Sequence, residues 1–293
     1  DTPSPQNNGT RRLTMVAIQA KFWVISSIVL SSGTRIRSLR SNRISRSGLS
    51  SISSRLLARA SKFPVRGPAS DPPRYDDASP LNRTFMSLFR ARMAAEVGID
   101  SPVEGFEGII DLTMNRLINN PSRYENPTKV QAASQRILKS LFPSWLLPAF
   151  RWMFARPFPK LSGRMIAAVT AVTCEWLMGG CQVNSANITG DNDTDGLGVH
   201  VQRCRYLEES GCASVCINCC KIPTQRFFLE DMGVPVTMTP NYDDFSCQFD
   251  FGKIPEDTES DPAFNVPCFG QCPSKRRHED STLCDGARAN TLD

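Results

Sequence analysis

Histidine is nearly absent from these 293 residues: only His200 and His278 occur. Two imidazoles leave little material for a Ser-His-Asp triad or a two-histidine metal site. No Gly-rich phosphate cradle is present, so hydrolase and kinase readings have little support. Long apolar runs are missing too. The longest candidate, Met165 to Met178, is interrupted by Glu175 and reads as a buried helix, so the chain is not expected to be integral to a membrane.

Acidic residues are missing from one end only. Residues 2–70 hold 12 of the 34 Lys/Arg and none of the 29 Asp/Glu; with Asp1 set aside, residues 71–293 keep 22 basic against 28 acidic groups. The formal charge of +5 therefore hides a body of net −6. Such a body repels a phosphate backbone, and no basic stripe with interleaved aromatics argues otherwise, so nucleic acid is excluded as a partner. Residues 1–70, rich in Ser and Arg, have the composition of a disordered targeting leader. The apolar run Phe22 to Leu30 is too short to span a bilayer but suits a signal h-region. Both a signal-plus-transit leader and a simple plastid or mitochondrial presequence fit. Residues 71–80 read as a Pro-rich linker, 81–277 as the folded domain and 278–293 as a tail.

Within 81–277 the expected fold is mainly α with a small β hairpin (α+β), a helical half over 81–183 and a Cys-rich half over 198–277. Phe85, Leu88, Phe89, Met93 and Val97 recur at helical spacing, as do Ile109, Ile110, Met114 and Leu117. Further helices are predicted over Thr128–Leu141, ended by Pro143, and Leu161–Met178, closed by Gly179 and Gly180. Between them, Trp145 to Lys160 interleaves aromatics with Arg151, Arg156 and Lys160; it reads as a membrane-interface segment or as core. Val234–Thr239 and Ser246–Phe251 suggest the hairpin.

Nine of the eleven cysteines lie between Cys204 and Cys284. If Val199 to Lys221 is one helix, Cys212, Cys216 and Cys220 lie along one face with Cys204 one register upstream, and the thiols could meet on a soft metal or an iron–sulfur cluster. Buried or disulfide-paired cysteine is the other reading. Two shorter patterns fail on context. Cys212, Cys216 and Cys219 match the C-x3-C-x2-C spacing of radical S-adenosylmethionine enzymes, but only 74 residues follow, too few for the barrel that motif serves. Asp191, Asp193, Asp195 and Gly196 match half a calcium loop, but its twelfth position is Gln202, which offers no bidentate carboxylate.

Longer blocks are more specific. Cys174-Glu-Trp-Leu-Met-Gly-Gly-Cys181, Cys204 to Cys212, Cys216-Ile-Asn-Cys-Cys220-Lys-Ile-Pro, Met232-Gly-Val-Pro, Pro240 to Gly252 and Pro267-Cys268-Phe-Gly-Gln-Cys272-Pro resemble, in order, the plastid β-carotene isomerases. That family comprises iron-dependent enzymes that open strigolactone synthesis, with their paralogues. The resemblance implies isomerisation between all-trans and 9-cis β-carotene or a related cis-carotenoid. It implies iron, as a single ion or a cluster, held by ligands drawn from Cys204, Cys212, Cys216, Cys220, Cys247, Cys268 and Cys272. Cys219 stands where the family usually has another residue, and no catalytic acid or base carries over. A peripheral contact with the plastid membrane is implied by the insolubility of the substrate, and downstream carotenoid cleavage enzymes are implied as pathway neighbours. From the residues themselves, Glu208 and Glu209 are candidate proton donors and Cys219 or Cys220 a candidate nucleophile; the glutamates also fit a solvated helical face. The alternative function is a plastid metal or iron–sulfur protein with a structural or electron-transfer role.

Overall fold

The computed structural model describes residues 65–120, 122–273 and 284. The expected leader lies almost wholly outside them. Helix α1, Pro80–Val97, starts on a proline that needs no amide partner and ends at Gly98, whose φ of 83° lets its N–H reach Ala94 O at 2.9 Å. Helix α2, Gly105–Asp111, widens into a π turn at Leu112–Ile118. Helix α3, Pro127–Ser140, is capped by Asn126, whose side chain accepts from the Lys129 amide at 2.9 Å. Helix α4, Leu146–Phe150, runs into the π turn Arg151–Ala155 and is followed by α5, Pro159–Thr173, and the short α6, Glu175–Met178. The predicted helix over 161–178 is thus broken near Cys174.

The fold is α+β, as expected from the sequence, but its sheet has four strands. Strands β1, Cys181–Asn184, β2, Gly198–Val201, β3, Val236–Pro240, and β4, Cys247–Phe251, form an antiparallel sheet in the order β1-β2-β4-β3. The β3/β4 hairpin falls where the sequence placed it. Register sets Val201 opposite Cys247 and Val199 opposite Phe249, with Met238 opposite Phe249 on the other side. Between β2 and β3 lie α7, Arg205–Ser210, then α8, Ala213–Val215, leading into the π turn Cys216–Lys221, and α9, Ile222–Arg226, leading into a last π turn, Phe227–Met232.

Two apolar cores result. One lies among α1, α2, α3 and the cysteine helices and includes Met93, Ile109, Leu112, Trp176, Tyr206, Ile217 and Phe269. The other lies between α5 and the sheet and includes Ile166, Ala167, Val199, Met238, Phe249 and Phe251. Leu177 and Cys204 pack against both. Residues 65–79 are tied to this body by ions and rings. Arg205, nearly buried, makes bonds of 2.6 and 2.8 Å to both Asp77 oxygens and lies 3.8 Å from the centroid of Phe106 and 4.4 Å from that of Tyr75. Among the described residues, no helix is long and apolar enough to cross a membrane.

Candidate functional site

The expected single row of cysteines does not exist, because a glycine ends its helix early. Helix α7 stops at Gly211 in the left-handed region, φ 57°, and Cys212 follows with extended dihedrals before helical winding resumes. The renewed helix then widens at Cys216. Cys212 is carried away from the face that Cys216 and Cys220 share, and the thiols separate into two groups.

The first group is Cys204, Cys216, Cys220 and Cys247. They line a cavity of about 20 Å³ together with Met178, Val201, Tyr206, Met238 and Phe249. Cys204 is placed by the start of α7, where its amide donates to Phe245 O at 2.7 Å; Cys216 and Cys220 come from the π turn and Cys247 opens β4. Burial raises the Cys216 thiol to about 12 and the Cys204 thiol to about 11. Burial also pushes Cys220 and Cys247 well above the ordinary thiol range, with the charge of Cys216 adding to each shift. Cys174 and Cys181 border this group, as the influence of Cys174 on Cys220 and of Cys204 on Cys181 indicates.

Two features beside these thiols were not anticipated. Lys221, with a side chain only 2% exposed, pairs with Asp261 at 2.6 Å and donates to Met238 O, and its charge opposes the upward shifts of Cys216 and Cys247. Tyr242 lies within hydrogen-bonding reach of Cys216 and donates to Ala263 O at 3.1 Å. A lysine inside the run Cys219-Cys220-Lys221-Ile222-Pro223 was the available signal, since a charge amid buried positions needs a partner.

The second group is Cys212, Cys268, Cys272 and Cys284, all buried, around a cavity of about 130 Å³ that Tyr124, Ser214 and Asn218 also line. Cys212 hydrogen-bonds Cys272, and that bond, followed by burial, raises its proton affinity; Cys268 is raised in the same way, first by its bond to Cys284. Cys284 was not a site candidate. Its amide donates to Val266 O at 2.9 Å.

The remaining candidates lie elsewhere. Glu208 pairs with Arg203 and Glu209 with Arg205, the latter at 2.7 Å, and neither lines a cavity described above. Cys219 turns toward Ser134 in the helical core. The half calcium loop is occupied by cations: Asp191 binds Lys160 at 2.8 Å and Asp193 binds Lys160 and Arg164.

The first group has the donor chemistry for iron held by sulfur: four thiols in an apolar cavity whose lining holds no carboxylate or imidazole. Among the described residues no three His, Cys, Asp or Glu side chains are arranged as ready ligands for an ion. Binding would therefore have to deprotonate the thiols and draw them together. The free volume matches about one water-sized occupant, so it has room for a single ion, whereas a cluster must displace side chains.

Residues 176–260, which hold the first group and Cys212, match the family model described as β-carotene isomerase D27-like, C-terminal. The chain is 34% identical over 190 residues to a protein of Medicago truncatula named β-carotene isomerase D27, chloroplastic, covering 65% of this chain and 71% of that one. It is 30% identical over 185 residues to the Arabidopsis thaliana protein of the same name, covering 63% and 67%. No solved structure matches the chain significantly. Both relatives are named chloroplastic, in accord with the plastid expected from the leader and the family resemblance together. With this identity over more than two thirds of its relatives' length, the chain belongs to the β-carotene isomerase D27 family of plastid enzymes.

Proposed function

We propose that the protein is a carotenoid cis/trans isomerase that interconverts all-trans and 9-cis β-carotene, or a related cis-carotenoid, at the first cysteine group. The observation that carries this reading is the convergence of Cys204, Cys216, Cys220 and Cys247 on one apolar cavity, in a chain whose relatives are named β-carotene isomerases. The net reaction rotates one double bond and adds or removes nothing. It needs a temporary loss of π-bond order and no hydrolytic water, so an apolar, water-poor setting suits it. An iron centre held by these four thiolates would supply reversible one-electron chemistry. The chain's own contribution is to seat the sulfurs, to balance their charge with Lys221 and to exclude water with Met178, Met238 and Phe249.

A forty-carbon polyene does not fit cavities of 20 or 130 Å³, when sites for much smaller ligands run to about 300 Å³ or more. The substrate must open the second core. A file of rings marks a route there: Phe142 stacks on Phe227 at 5.6 Å, Phe227 meets Phe228 at 5.3 Å, Phe228 meets Phe251 at 5.3 Å, and Phe251 meets Phe249 at 6.4 Å. Phe249 lines the thiol cavity.

The test is iron and acid-labile sulfide content, with the absorption spectrum and conversion of all-trans β-carotene in detergent micelles, on protein purified without oxygen. Wild type is expected to bind iron and form cis product, and Cys216→Ser to lose both while Glu208→Gln keeps both. A metal-free protein that still isomerises would move the chemistry to a thiolate or an acid. Iron without cis product would favour the structural or electron-transfer role.

A further inference from the structure

Residues 126–174 contain seven Lys/Arg and no Asp or Glu, although the body around them is acidic. In the fold this stretch includes a hairpin: α4 with its π turn, an exposed tip at 156–161, and the start of α5. Its inner side is core, with Leu146, Leu147 and Ala155 buried and Phe150 packed against the same cluster as Cys220 and Cys247. Its outer side is apolar as well. Trp152 is 73% exposed and Phe158 56%, and Trp145, Met153 and Leu161 are exposed beside them. Leu229, also exposed, joins them from the π turn that Arg151 clasps through Glu230 O at 2.7 Å.

Single exposed apolar residues are ordinary in any protein, but here five large ones fall in 17 residues, with two of the chain's four tryptophans among them. Lys160 and Arg164 are offset by Asp191 and Asp193, which leaves Arg156 at the tip and Arg151 on the π turn as the hairpin's basic groups with no carboxylate partner among the described residues. Aromatic residues interleaved with arginine match a bilayer interface, where rings enter the acyl boundary and guanidinium groups meet anionic headgroups.

We propose that this hairpin docks the protein onto an anionic lipid bilayer, which brings the thiol-bearing core that Phe150 packs against toward the phase that dissolves carotenoids. The docking deepens the isomerase reading and rests on it for the identity of the cargo. Binding itself needs no carotenoid. The chain would be floated with carotenoid-free vesicles of phosphatidylglycerol and phosphatidylcholine, or of phosphatidylcholine alone, and its self-association followed by sedimentation velocity. Wild type is expected to float with the anionic vesicles. Trp152→Glu/Phe158→Glu should lower its partition by about 100-fold, the loss of two apolar side chains from the interface. Arg156→Ala should narrow the preference for anionic over neutral vesicles. Activity in detergent micelles and the urea midpoint should remain as in wild type, which separates lost docking from lost folding or catalysis. Equal flotation of wild type and the double variant would overturn the proposal, as would no flotation of wild type. A concentration-dependent dimer abolished by the double variant would assign the patch to a second copy of the chain instead.

Discussion

Replacing Lys221 by methionine tests whether the ion pair beside the thiols holds this part of the fold together. The two side chains are 2% and 10% exposed, the Nζ to Oδ2 distance is 2.6 Å, and the same Nζ also donates to Met238 O on β3. Methionine fills the volume of the lysine stem but leaves the Asp261 carboxylate buried with no cation. Removing one partner of such a pair costs about 3–5 kcal/mol, against a total stability of about 5–15 kcal/mol for a domain. Asp261 also accepts from the Ala263 amide at 2.9 Å, a bond that asparagine retains. The double variant Lys221→Met/Asp261→Asn removes both charges and should lose only the bond to Met238 O, about 1 kcal/mol. Urea unfolding of the metal-free chain gives the four free energies of the cycle by linear extrapolation. The coupling should exceed about 2 kcal/mol. Lys129→Met, which breaks the Lys129–Glu125 pair with side chains 52% and 62% exposed, is the internal control and should cost less than about 1 kcal/mol. If Lys221→Met also cost under about 1 kcal/mol, or if its effect and that of Asp261→Asn simply added, the pair would not be a buried, coupled unit and the reasoning would fail.

Metal-free protein should lose stability as alkali is added. Cys216 and Cys204 have folded-state values raised to about 12 and about 11 from 9.0, so their neutral forms favour the fold fully below pH 9 and progressively less as the pH rises through those values. The slope is about 1.4 kcal/mol per pH unit for each such thiol. A urea midpoint that stayed flat between pH 9 and 11 would contradict the burial assigned to them. Gly198→Ala should destabilise by about 2 kcal/mol, because a Cβ there falls 2.1 Å from Asn184 Oδ1 and 2.8 Å from Ser185 O, and backbone cannot yield as a side chain can. An unchanged thermal midpoint would count against the β1/β2 register.

Helices α1, α2 and α3 were legible because each carries an amphipathic period: Met93 and Val97, Ile109 and Leu117, and Val130 and Ile137 all return to the core. Strands β1 and β2 were not, since four residues such as Gly198-Val-His-Val201 give too short a pattern to separate a strand from the opening of a helix. The cysteine row failed for a different reason. The thiol spacing was right, but Gly211 is a stop signal that sits inside it, and the π turn at Cys216 leaves no mark in sequence. In the fold, Cys212 joins Cys268, Cys272 and Cys284 at the second cavity, and the lone Cys284 gains a reason to be buried. The division has a chemical consequence. Four sulfurs from the start of α7, the π turn and β4 share one apolar cavity, the donor set that iron held by sulfur would need, whereas Cys212, Cys268, Cys272 and Cys284 join the helical half to the chain beyond β4. The seven cysteines among which the family resemblance left the ligands open are therefore two sets in space, and only one of them borders the core that the hairpin and the file of rings also share.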